Sequence, residues 1–115
     1  MSGRMLVVDD DRDMVRTLCD VLRLRGFQVQ GAHSGEEALA LVDRQPYGVV
    51  LMDIKMPGME GTEACRVMVQ RHPGLRVILM TAHVPIDAIH DAEREGAWRV
   101  MRKPVEIAEL LALLG

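Results

Sequence analysis

The chain has 115 residues, 49% of them hydrophobic, and a formal net charge of −3. That length fits one domain over residues 1–115, and the apolar share can fill a core without disulfides or metal staples. Both charge signs are scattered along the chain, so there is no basic footprint for nucleic acid and no polybasic patch for a membrane.

No apolar run approaches membrane length, and the opening "MSGRM" lacks an apolar signal region. A cytoplasmic protein is expected. One Phe, one Tyr and one Trp stand against nine Met, so the core must be aliphatic. Cys19 and Cys65 match no metal or redox spacing and are expected as buried or half-buried reduced thiols.

The first strand is predicted at Met5–Asp9, and it runs straight into Asp10 and Asp11. Two carboxylates ~4 Å apart repel by ~4 kcal/mol at an effective dielectric of about 20, so these acids need water or a cation among them. Asp11 reads as the N-cap of a first helix. In that helix Met14, Leu18, Val21 and Leu22 recur at helical spacing and Gly26 is the stop. A second strand is predicted at Phe27–Ala32. "SGEE" opens the second helix, with Ser34 and Glu37 at capping-box spacing. Val49–Asp53 follows as the third strand. A third helix begins near Gly61 and ends before Pro73. The fourth strand is Val77–Thr81. "GVVLMD" and "RVILMT" are continuous rather than alternating, as in parallel strands covered on both faces. A fourth helix follows Pro85 and stops at Gly96, and Trp98–Arg102 is the fifth strand. The last helix follows Pro104 and holds Leu110, Leu111 and Leu114. Five β-α units predict a parallel sheet with right-handed crossovers. Trp98 reads equally as a packing anchor and as an exposed contact.

Ligands of open α/β sheets bind outside the carboxyl ends of the strands. Those ends carry Asp9 and Asp10, Asp53, Thr81 and Lys103. Carboxylates with backbone carbonyl and water make a hard oxygen site that suits Mg2+. Acids, metal, ammonium and hydroxyl together can stabilise a phosphoryl group passing to a carboxylate oxygen. On chemistry alone Asp9, Asp10 and Asp53 are all eligible acceptors. His33, His72, His83 and His90 are too scattered for a histidine metal site. Neither a P-loop nor G-x-G-x-x-G follows the first strand, which speaks against a nucleotide site.

"VVDDD", "LMDIKMPGMEG", "ILMTA" and "GAWRVMRKP" occur in this order across essentially the whole chain. Together they resemble the signature of response-regulator receiver domains, the CheY-like superfamily of two-component signalling. The resemblance implies a doubly wound (βα)5 flavodoxin-like domain with strand order 2-1-3-4-5 and helices on both faces. It makes Asp53 the phosphoacceptor for a sensor histidine kinase or phosphotransfer protein. Asp9, Asp10, Asp53 and the backbone carbonyl of Lys55 would hold Mg2+, for which Mn2+ can substitute. Thr81 would contact the phosphoryl group and Lys103 would pair with it. Pro104 would follow Lys103 in a cis linkage. Pro57 and Gly58 would shape the loop after the acceptor, and Ala82 would keep access open. Lys55 and His83 would tune the phosphoryl lifetime by restricting the attacking water.

One position departs from the family pattern. Val100 stands where members carry Tyr or Phe, and its one stiff torsion offers little travel. Output is therefore expected through the loop after Thr81 and the helix beyond it. Partner contact, with an effector or a second copy, is expected on the face of the fourth helix, fifth strand and fifth helix, with no direct nucleic-acid or membrane role. The chain would catalyse only its own phosphorylation and dephosphorylation. Two rival readings are a phosphorylation-independent interaction module and a haloacid-dehalogenase-type phosphatase. The second would use Asp9, since Asp9 and Asp11 have Asp-x-Asp spacing, but Arg12 replaces the usual small residue.

Overall fold

The computed structural model of the chain describes residues 4–82 and 86–114, the side chains of 86–88 excepted. In chain order the elements are β1 (Arg4–Val8), α1 (Arg12–Leu24), β2 (Val29–Ala32), α2 (Gly35–Arg44), β3 (Tyr47–Asp53), α3 (Gly61–Arg71), β4 (Arg76–Thr81), α4 (Ile86–Arg94), β5 (Arg99–Arg102) and α5 (Ile107–Leu114). All strand pairs are parallel and their order is β2-β1-β3-β4-β5. The alternating pattern predicts the parallel sheet, and the doubly wound order 2-1-3-4-5 is the one the receiver-domain resemblance implies.

Strand side chains alternate between faces, and the core divides accordingly. Leu6, Val8, Val50, Met52, Val77 and Leu79 pack with Ala38 and Val42 of α2, Ala64 and Met68 of α3, and Ala92 of α4. Met5, Val7, Val49, Leu51, Ile78 and Met80 pack with Val15, Leu18 and Leu22 of α1 and Leu110 of α5. The central strands are thus apolar on both sides, which is why their sequences do not alternate. Each fully buried Leu, Ile or Val contributes ~1.5–3 kcal/mol of transfer free energy. Both cysteines are free and buried. Burial pushes both thiols up, Cys65 to about 12, so neither is a reactive thiolate. No described helix is long and apolar enough to cross a membrane.

The strand boundaries differ from expectation by one or two residues, and the shift of β2 has a visible cause. Phe27 does not open β2, because it closes α1. Gly26 adopts φ 92°, its N–H donates to the Arg23 carbonyl (3.0 Å), and the Phe27 N–H donates to the Leu22 carbonyl (3.1 Å). That is the Schellman pattern. Gly96 (φ 99°) and Ala97 close α4 in the same way, through bonds to Glu93 and Ala92. Asp9 lies just past β1, although its N–H still reaches the Ala32 carbonyl at 3.2 Å. Two helix starts behave as their sequences predict. The Asp11 carboxylate accepts from the Met14 N–H (3.1 Å), and the Ser34 hydroxyl accepts from the Glu37 N–H (3.0 Å). Glu37 reaches one residue beyond a standard capping box, accepting from the His33 N–H at 2.8 Å.

One glycine sets how closely α3 approaches the end of β3. The Gly61 N–H donates to the Ile54 carbonyl at 2.8 Å, and a Cβ at residue 61 would stand 2.1 Å from the Asp53 carbonyl oxygen. Helix propensity favours Gly→Ala by ~1 kcal/mol. Here the atom in the way is backbone, so the clash must win. Gly61→Ala is expected to destabilise the protein by ~2 kcal/mol net, in the range of overpacking. Urea unfolding checks this, and a more stable variant would show that the loop can yield.

Candidate functional site

Four strand ends converge on one edge of the sheet. Asp9 follows β1, Asp53 ends β3, Thr81 ends β4 and Lys103 follows β5. Backbone bonds hold these ends level: the Ile54 N–H donates to the Met80 carbonyl (3.0 Å), and the Lys103 N–H donates to the Thr81 carbonyl (2.8 Å). Asp9, Asp53 and Thr81 are buried, at 1%, 6% and 8% exposure, whereas Asp10 is exposed. Buried acids at the rim of an apolar core are costly without compensation.

Among the described residues, the compensating cation is Lys103. The Lys103 ammonium lies 2.8 Å from Asp9 Oδ2 and 3.4 Å from Asp53 Oδ2. The other oxygen of Asp9 accepts from the Asp11 N–H at 3.0 Å. Burial lowers the Lys103 pKa, but the two carboxylates outweigh it and leave it above the ordinary lysine value. Asp53 stays under-compensated. Burial, and then the nearby Asp9 charge, raise its pKa against the pull of Lys103 and a backbone hydrogen bond from Lys55. One ammonium serves two acids, so a further positive charge would be favourable here. Carboxylate oxygens of Asp9, Asp10 and Asp53 can all lie within 4.8 Å of one another, which fits a hard divalent cation.

A cavity of about 680 Å³ opens beside this cluster, and its lining includes Asp53, Lys55, Glu60, Thr81, Ala82 and Lys103. Asp9 and Asp10 do not line it. The strand ends therefore bring Asp9, Asp10, Asp53, Thr81 and Lys103 to one edge of the sheet. The Lys103–Pro104 peptide bond is cis. Val100 pairs in register with Leu79 and packs, half-buried, on the core beneath α4. His83 lies outside the described residues. Trp98 turns out to be a packing residue, half-buried against the α1–α5 core, with the guanidinium groups of Arg76 (4.7 Å) and Arg99 (4.8 Å) over its ring.

Glu60 was not anticipated. It holds the N-cap position of α3 without making a side-chain cap bond, and lies 3.3 Å from the Lys55 ammonium. The signal was available: glutamate is a poor N-cap, so one placed just before Gly61 is free for another partner.

The profile of the response regulator receiver domain family matches residues 5–115. A response regulator receiver protein of Anaeromyxobacter sp. (strain Fw109-5) is 40% identical over 110 residues, covering 96% of this chain and 46% of that protein. The chain spans less than half the length of the sequence relatives compared. Among solved structures, a CheY-like receiver domain protein from Methanospirillum hungatei JF-1 superposes with a TM-score of 0.92 at 30% identity, over 99% of this chain and 91% of that one. A response regulator from Burkholderia pseudomallei, crystallised with a phosphorylated aspartic acid, calcium ion and citrate, gives a TM-score of 0.92 at 26% identity, over 99% of this chain and 67% of that one. With the strand order and the acidic strand-end cluster in agreement, the chain belongs to the response regulator receiver domain family, the phosphorylation-controlled switches of two-component signalling.

Proposed function

We propose that Asp53 accepts a phosphoryl group from a phosphohistidine of a sensor histidine kinase or phosphotransfer protein. One observation supports the choice among the three acids: Asp53 opens onto the cavity with Thr81 and Lys103, whereas neither Asp9, held 2.8 Å from Lys103, nor Asp10 lines it. In the transfer, an Asp53 carboxylate oxygen bonds to phosphorus as the phosphorus–nitrogen bond breaks. The electron pair returns to the imidazole nitrogen, and Asp53 becomes an acyl phosphate.

Asp9, Asp10, Asp53 and the Lys55 carbonyl would hold Mg2+, or Mn2+ in its place. When bound, the ion neutralises charge on the phosphoryl oxygens. Lys103 adds a fixed positive charge and Thr81 a hydroxyl donor. Ala82, small and exposed, leaves the mouth open. Lys55 and His83 restrict the water that hydrolyses the acyl phosphate. The Burkholderia protein, with its phosphorylated aspartic acid and calcium ion, supports an acyl phosphate and a divalent cation sharing this fold.

The chain, one domain over residues 1–115, acts in the cytoplasm as a switch and catalyses only its own phosphorylation and dephosphorylation. Its output runs through the segment after Thr81 and α4, since Val100 offers no ring to rotate. An effector or a second copy meets the α4–β5–α5 face, where Arg94, Arg99, Arg102, Glu106 and Glu109 are exposed, without direct nucleic-acid or membrane contact.

Incubation with Mg2+ and acetyl phosphate, followed by intact-mass measurement and peptide mapping, tests the reading. One phosphoryl group on Asp53, absent in EDTA, is expected. A group on Asp9 would instead indicate the dehalogenase-type phosphatase. No group on folded, metal-binding protein would indicate a phosphorylation-independent module.

A further inference from the structure

We infer that Glu60 is a positioning residue: it holds the Lys55 ammonium off the acceptor and yields it to an incoming phosphodonor. The inference rests on Asp53 being the acceptor. Lys55 and Glu60 both line the cavity, and their charged atoms are 3.3 Å apart. The loop between them is closed by the bond from the Gly61 N–H to the Ile54 carbonyl (2.8 Å). The two side chains are far freer, at 82% and 49% exposure.

Lys103 is held by Asp9 and Asp53, and Glu95 by Arg66 (3.2 Å). Arg94 also makes an exposed pair, with Asp91 (3.1 Å), but it lies on α4, whereas Lys55 follows the acceptor by two residues. Among the described residues, Lys55 is thus the wall cation on a short, closed loop from the acceptor, and its partner is the exposed carboxylate of Glu60. Exposed ion pairs are weak and readily exchanged. A phosphodonor brings a dianion with several acceptor oxygens, a stronger partner for an ammonium than one carboxylate. Lys55 then exchanges Glu60 for the donor's phosphoryl oxygens. The rate of phosphorylation should therefore depend on how tightly Glu60 holds Lys55, and not only on the net charge of the rim.

A double-mutant cycle separates these two effects. Wild type, Glu60→Gln, Lys55→Met and the double variant are incubated with Mg2+ and acetyl phosphate. The rate constant for phosphorylation is followed by intact mass at low and high salt. In this reaction an Asp53 oxygen bonds to phosphorus, and acetate leaves with the electrons of the broken phosphorus–oxygen bond. Glu60→Gln is expected to accelerate phosphorylation about threefold more when Lys55 is present than in the Lys55→Met background, at the low end of couplings between contacting residues. The difference should shrink at high salt. Equal factors in the two backgrounds would mean that both charges act only through the general field, and would overturn the inference while leaving Asp53 as acceptor. A wild type that takes no phosphoryl group on Asp53 would overturn both.

Discussion

Asp53→Asn is expected to take up no phosphoryl group under conditions that phosphorylate the wild type, and to be the more stable protein in metal-free buffer at neutral pH. The first effect follows from removing the attacking oxygen. The second follows from electrostatics. Asp53 is 6% exposed, Asp9 stands beside it, and the shared Lys103 is closer to Asp9, at 2.8 Å against 3.4 Å. Burial, followed by the Asp9 charge, raises its pKa in the folded protein above the ordinary 3.8. The native state therefore holds the Asp53 proton to a higher pH than the unfolded chain does. Stability from that proton is fully present below 3.8 and is lost as pH rises through the folded value. At pH 7 the ionised Asp53 is a net cost that asparagine does not carry. We expect a gain of about 1 kcal/mol, or roughly 3–5 °C in Tm, in EDTA. The gain should fade as pH is lowered below the folded pKa. Saturating Mg2+ should narrow or reverse the order, because the wild type binds the ion better. Calorimetry of both proteins, with and without Mg2+ and across pH, checks the sign. A variant less stable than wild type in EDTA at pH 7 would show that the Lys103 bond to Asp53 outweighs the repulsion.

Lys103→Met should act in the opposite direction. Asp9 is 1% exposed, and among the described residues its partners are Lys103 and the Asp11 N–H. Removing the ammonium leaves a buried carboxylate without a counter-charge, a change that costs 3–5 kcal/mol in fully buried pairs. Lys103 is itself 24% exposed, so we expect about 2–3 kcal/mol in metal-free buffer. Methionine keeps the length of the apolar stem, which confines the effect to charge. A divalent cation among the acids replaces the missing charge, so Mg2+ should stabilise this variant more than the wild type. Phosphorylation should slow roughly tenfold or more, as when a preorganised electrostatic donor is removed. Urea unfolding with and without Mg2+ reads the first effect. A loss that Mg2+ leaves untouched would point to packing around Pro104 rather than to Asp9.

Several features were legible from local pattern. Val49–Asp53 and Val77–Thr81 read as buried parallel strands, because only a strand covered on both sides is apolar at every position. Asp11 and Ser34 read as caps because a cap is made within four residues. The start of β2 shifted because two local motifs compete for one residue. Phe27 suits a strand by composition, but Gly26 before it commits both residues to closing α1.

The sequence by itself determined the order of the elements and placed Asp9, Asp53, Thr81 and Lys103 at strand ends. It could do so because strand and helix periods, stop signals and caps act over a few residues. Only the tertiary structure decided how one ammonium is divided between two acids. The same holds for which acid opens onto the cavity and for the glutamate that pairs with Lys55 at its rim. Lys103 reaches Asp9 across 94 residues and Asp53 across 50. Charge energies at such contacts depend on ångström separations and on local burial. Both exist only once five strands have been laid side by side in register.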